Sequence, residues 1–161
     1  INQFIAHHSV IFQPEKRLMW VSTSPWQCGK YVAYDLNKIF KDTIDWQHEI
    51  YSSDLTIPED KFIDTPEFQH LLTYKKLTPL LLKKIRKKEQ IEESVLKTYQ
   101  ASNPSLYYVY EVIGDYYEAM QQSKQAIAYW QQALKKSIPK LQEKERIQQK
   151  IQKQSKDGKE S

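Results

Sequence analysis

The chain has 161 residues, enough for one or two small domains, with a formal net charge of +4, three glycines and a single cysteine. So few glycines argue against a turn-dense all-β fold over the full length, and one cysteine excludes an internal disulfide and a cysteine-built zinc site. The charge is mild for this size and does not point to nucleic acid, and no apolar run approaches the ~20 residues of a membrane span.

Strands are expected first, over Phe4–Phe12, Leu18–Ser22 and Tyr31–Leu36. Val10-Ile11-Phe12 and Leu18-Met19-Trp20-Val21 flank the polar turn Gln13-Pro14-Glu15-Lys16-Arg17. β-branched and aromatic arms around a proline-containing turn read as an antiparallel hairpin. Pro14 presets φ and lacks an N–H for a ladder, so it belongs in the turn. Arms this continuous in apolar residues are usually covered on both faces, and a lone hairpin is marginal in water. These strands are therefore expected to close a larger fold. The chain opens on Ile1 rather than Met, so a processed or truncated product is expected. The compartment stays open, with export following if a signal peptide lies upstream.

Residues 41–63 have no sustained period, yet they carry Trp46, Ile50, Tyr51, Leu55, Ile57 and Phe62. Flexible linkers lack so many large apolar residues, so an ordered connector is expected. An α-helical domain follows over 64–155. Thr65-Pro66 reads as a helix start, with Phe68, Leu71 and Leu72 as its stripe. Thr78-Pro79 repeats the signal ahead of Leu80, Leu81, Leu82 and Ile85, and a third segment carries Ile91, Val95, Leu96 and Tyr99 on one face.

Next, Tyr110, Ile113, Gly114 and Tyr117, then Ala126, Trp130, Ala133 and Pro139, resemble the tetratricopeptide pattern over 103–139, with the proline one place late. Asn103 and Pro104 read as its N-cap and first helical residue. Gly114 and Ala126 are small where two antiparallel helices would cross, and Tyr110, Tyr117 and Trp130 would fill the groove between them. One such unit cannot bury both of its faces. The helices around 66–101 are expected on one side, and 140–153, with Leu141, Ile147 and Ile151 among charges, as a polar-faced cap. Residues after Lys153 read as a frayed tail, disordered over 156–161.

The N-terminal strands carry a second resemblance. His7-His8-Ser9-Val10-Ile11-Phe12, Pro14 to Ser22, Ser24-Pro25-Trp26 and Gly29-Lys30-Tyr31-Val32 are similar to the C-terminal strands of penicillin acyltransferase-like N-terminal-nucleophile hydrolases, cousins of the choloylglycine hydrolases. The likeness covers residues 1–40. It implies that these antiparallel strands are the C-terminal remnant of an αββα sandwich; with the α-helical hairpin domain read above, the chain is expected to be α+β. It also implies a cysteine nucleophile that begins the mature chain. Cys28 is internal, so that nucleophile would lie upstream, and no catalytic residue is assigned here.

Several residues stand out as site candidates. Cys28 with His7 or His8 could form a thiol–imidazole pair, although a small half-buried thiol in a strand connection is the commoner role. Adjacent strand residues point to opposite faces, so at most one of the two histidines can face a common site, and the pair cannot converge on a metal ion. No metal or cofactor is expected. If the hydrolase likeness holds, His7, His8, Ser24 and Trp26 are substrate-cleft candidates. Lys83-Lys84-Ile85-Arg86-Lys87-Lys88 could meet an anion, or simply be a solvated helix end where positive charge suits the dipole. It has no interleaved aromatics for single-strand binding. Tyr108, Glu111, Asp115 and Glu118 turn away from the Ile113–Tyr117 packing face and are partner-binding candidates; with a single repeat, a structural role that docks the helices onto the catalytic domain or a second subunit is expected ahead of peptide binding. The expected partners are the rest of a hydrolase domain or a second subunit. The competing class is a non-enzymatic interaction module using the helices.

Overall fold

A computed structural model of the chain describes residues 8–25, 27–41 and 50–157. The protein is mixed α+β and divides into two compact units, Ile1–Thr65 and Pro66–Ser161.

The first unit holds a four-stranded antiparallel sheet, with strands β1 (Val10–Gln13), β2 (Leu18–Ser22), β3 (Tyr31–Asp35) and β4 (Ser52–Ile57) in sequential order. The β1–β2 turn forms a short 3-10 helix over Pro14–Lys16 that closes when Arg17, at φ 53°, donates its N–H to the Pro14 carbonyl at 3.0 Å. β2 follows the sequence expectation. β3 ends one residue early because the Asp35 side chain accepts from Asn37 N–H at 2.9 Å and caps a four-residue helix α1 (Leu36–Ile39). The expected strand residues Phe4–His7 lie outside the described residues.

β4 corrects the sequence reading of 41–63 as a connector. Its residues are mostly polar and exposed, so they give no alternation signal, and its ladder to β3 shifts register between Tyr31 and Ala33. Trp20 on β2 nevertheless donates its indole N–H to the Leu55 carbonyl at 2.9 Å.

Directly paired residues lie on the same sheet face, as do alternate residues along a strand. The register Val10↔Val21↔Val32 and Phe12↔Met19↔Tyr34 therefore gathers six apolar or aromatic residues on one face. Phe12 is 62% and Val10 45% exposed, and the other four are half-buried. The opposite face carries Ile11, Trp20 and Ala33, of which Ala33 is fully buried.

The second unit holds five helices: α2 (Pro66–Lys87), α3 (Glu93–Ser102), α4 (Tyr107–Ala119), α5 (Ser123–Leu134) and α6 (Leu141–Asp157). α2 starts at Pro66 as read. The expected second start at Thr78-Pro79 does not occur, because Pro79 lies inside one 22-residue helix. Proline removes an N–H and crowds the preceding turn. Packing holds the helix together there: the Thr78 hydroxyl donates back to the Tyr74 carbonyl at 2.7 Å and lies 3.1 Å from the Tyr99 hydroxyl, while Tyr74 stacks on Tyr99 at 5.8 Å.

Asn103-Pro104 also proves to be a turn rather than a helix start. The Asn103 carbonyl accepts from Leu106 N–H at 3.2 Å, and α4 begins three residues after Pro104. From there α4 and α5 form the expected helical hairpin. Gly114 meets Trp130, and a Cβ there would sit 2.5 Å from the indole Cδ1 and Nε1. Ala126, Trp130 and Ala133 are fully buried. Tyr117 stacks on Tyr129 at 5.3 Å.

α2 and α3 pack on α4, and α6 packs on α5, so both flanks of the hairpin are covered. Ile113 and Ile147, both fully buried, each contribute about 1.5–3 kcal/mol. α6 runs through Asp157 instead of fraying after Lys153, with the Ser155 hydroxyl donating to the Ile151 carbonyl at 2.8 Å. Residues 158–161 of the expected tail lie outside the described residues.

Candidate functional site

The residues singled out on α4 form one stripe, since positions three and four apart are neighbours on a helix. The structure gives this stripe to α6, which corrects its reading as an open partner-binding face. Glu111 is only 2% exposed. It accepts a two-pronged contact from Arg146, Nε to Oε1 at 3.1 Å and Nη2 to Oε2 at 2.9 Å, and a third bond from Lys150 Nζ at 2.9 Å. Such charge-assisted, bidentate bonds are the strong ones. Lys150 Nζ also donates to both Asp115 oxygens, at 2.7 and 2.9 Å.

Trp130 Nε1 donates to Asp115 Oδ1 at 2.9 Å, which ties the ion cluster to the hairpin core. Gln154 donates to Glu118 at 3.1 Å and accepts from Ser123 at 2.8 Å. At the other end the Tyr107 hydroxyl donates to Glu143 at 2.6 Å. Glu143, Arg146, Lys150 and Gln154 thus run along α6 in step with Tyr107, Glu111, Asp115 and Glu118 along α4. Tyr108 is half-buried against the helical core.

The electrostatics follow from this packing. Burial pulls the Lys150 ammonium down, but the hydrogen bonds and charges of Asp115 and Glu111 outweigh it and hold the group above its ordinary range. Burial pushes the Asp115 carboxyl up, Glu111's charge adds to this, and the bonds from Lys150 and Trp130 oppose it. Glu111 holds the Arg146 guanidinium protonated. Burial, then the hydrogen bond to Glu143, raises the Tyr107 hydroxyl. The cluster is an internal clamp in which every acid of the stripe has a partner. The signal for it was present in the sequence, as basic and amide residues at helical spacing on α6 matching acids at helical spacing on α4.

The N-terminal candidates fall only partly within the described residues. His7 and Trp26 lie outside the described residues. His8 and Ser24 are exposed. Ser24 opens a tight loop with a cis Ser24–Pro25 bond, and Gly29 packs so closely on the Thr23 and Ser24 carbonyls that a side chain would collide with them. Thr23 N–H and hydroxyl both donate to the Lys30 carbonyl, at 2.8 and 3.0 Å. Asp60 N–H reaches the Cys28 carbonyl at 2.8 Å. Cys28 is a half-buried free thiol, and no imidazole bonds to it among the described residues.

Among the described residues no three histidine, cysteine or carboxylate side chains are grouped to hold a metal ion, and no helix is long and apolar enough to cross a membrane. Lys83–Lys88 forms the last turn of α2 and its exit. Comparison with family models, curated proteins and solved structures finds no match to this chain.

Proposed function

We propose that the N-terminal sheet is the closing part of a larger hydrolase-like αββα fold, and that the intact protein is a cysteine-initiated amidohydrolase or acyltransferase acting on amide bonds of small molecules. The observation that carries this is the apolar sheet face of Val10, Phe12, Met19, Val21, Val32 and Tyr34, whose outer strand is about half exposed. A sheet face of this kind needs a second layer, because water-facing strands normally alternate with polar residues. The run of residues similar to N-terminal-nucleophile hydrolases falls on these same strands.

In such a route the thiol would attack the amide carbonyl, the free α-amine would serve as base, and backbone N–H groups would stabilise the oxyanion. On this reading the helical unit is a non-catalytic appendage, possessing two covered flanks. The competing reading, a non-enzymatic interaction module that uses the helices, has less support, since α6 packs over the acidic stripe of α4.

Mass spectrometry on the product of the whole reading frame tests the proposal. Self-cleavage that exposes an N-terminal cysteine, together with release of a carboxylate from N-acyl amines, is the expected result. A frame with no cysteine upstream, or a product that never self-cleaves, would overturn it.

A further inference from the structure

α6 differs from the helices beside it in what holds it. Of its sixteen residues from Leu141 to Lys156, eleven are exposed, Ile147 alone is buried, and Ile151 is partly so. By contrast α4 and α5 supply Val109, Val112, Ile113, Ala126, Trp130 and Ala133 to the core, none more than 1% exposed. The other ties on α6 are polar. Arg146 and Lys150 hold Glu111 and Asp115, and the Tyr107–Glu143 and Gln154–Glu118 bonds close the two ends.

This polar seam adds less net grip than its bond lengths suggest. Closing it takes the Glu111 charge almost wholly out of water, and that desolvation offsets much of the attraction from Arg146 and Lys150. Opening returns all of these groups to water together. The Arg146, Asp115 and Lys150 side chains are 49%, 27% and 25% exposed, so dissolved salt screens their pairing. The helix can also leave without being unmade. Its 17 residues include no glycine or proline, with Glu143 and Glu145 early and Lys153 and Lys156 late, where each suits the dipole. It joins α5 through residues 135–140, of which Ser137, Pro139 and Lys140 are exposed.

We propose that α6 is a strap that opens as a unit, ahead of global unfolding, by swinging on residues 135–140. Arg146 and Lys150 are its latch, and rising ionic strength releases it. The rest of the helical unit stays folded, because α2 and α3 keep the other flank of α4 covered. Opening bares the acidic stripe of Glu111, Asp115 and Glu118. No residue of the N-terminal sheet takes part, so this inference and the hydrolase reading stand or fall separately.

Hydrogen exchange of the full chain, read by mass spectrometry with α2 as internal reference, tests the proposal. An undocked helix of this length is too marginal in water to protect its amides. At low salt the amides from Glu143 to Ile151 should therefore exchange together, about tenfold or more faster than those of α4 and α5. Raising sodium chloride from about 0.02 to about 0.5 M should speed α6 several-fold further and leave α4 and α5 unchanged. Arg146→Gln should speed α6 at low salt and shrink its response to salt, whereas Lys153→Gln should do neither. If Arg146→Gln fails to fold, the salt response of the unaltered chain decides alone. Three results would overturn the proposal. One is α6 exchanging in step with α4 and α5. Another is a rate graded back from Asp157, with Glu143 to Ile147 as protected as α5, which is end fraying only. The third is an α6 rate that ignores salt.

Discussion

At Gly114 the absence of a side chain lets an entire indole ring lie against the α4 backbone. Alanine there would gain about 1 kcal/mol of helix propensity, but its methyl would meet Trp130, itself fully buried. Overpacking costs typically about 1–3 kcal/mol, so Gly114→Ala should lower the melting temperature by several degrees; an unchanged or higher value would contradict the close crossing. This contact was legible in the sequence, because small and aromatic residues at fixed spacing describe one local hairpin.

Lys150 is the second decisive residue. Lys150→Met keeps the stem but leaves Asp115 with only the Trp130 N–H, and should destabilise the fold by about 1–3 kcal/mol. The pH dependence has a definite sign. A lysine whose pKa is raised on folding stabilises fully below about pH 10.4 and loses that contribution as pH climbs through the folded value. Buried Tyr99 and Tyr107, also shifted upward, act in the same sense from about pH 10. Asp115's raised carboxyl works in a different window, helping only below about pH 4 and losing that help as pH rises through its folded value. Melting temperature should therefore be flat from about pH 7 to 9 and fall from about pH 10 upward. Lys150→Met should lose part of that alkaline fall.

At the scale of elements, the misread features share a cause: local signals were overruled by tertiary contacts. Thr78-Pro79 resembles a helix start, but Tyr74, Thr78 and Tyr99 hold the two halves in register. Pro79→Ala should then stabilise α2, by up to about 3 kcal/mol, raising the denaturant midpoint; a loss of stability would mean that the ring itself is needed. β4 went unread because polar edge residues carry no period, and its place in the sheet is set by the partners it meets.

Helix ends were equally silent. α2 and α4 each close with paired bonds, Lys88 to Ile85 and Glu89 to Lys84, then Gln121 to Glu118 and Gln122 to Tyr117. These are the Schellman pattern, but Lys88 (φ 55°) and Gln121 (φ 59°) stand where glycine is usual. Exposed Gln121→Gly should raise the melting temperature slightly, by the equivalent of about 0.5–1 kcal/mol.

Across the whole molecule the two units differ in completeness. The helical unit has its core covered and its acidic stripe neutralised, while the sheet leaves Val10, Ile11 and Phe12 facing water. Because these side chains are already exposed, the pair Val10→Thr with Phe12→Ser should leave stability within about 0.5 kcal/mol. It should also sharply reduce binding of an apolar dye and any self-association. A large loss of stability instead would mean that those residues are covered within this chain.

The parallel run of α6 against α4 limits how the helical stack can be lengthened. Glu111, Asp115 and Glu118 meet Arg146, Lys150 and Gln154 of the same chain, so the docking surface at that end is already spent. An engineer adding helical pairs would have to splice them between Leu134 and Leu141. A pair fused after Asp157 would find only the solvated back of α6 to rest on.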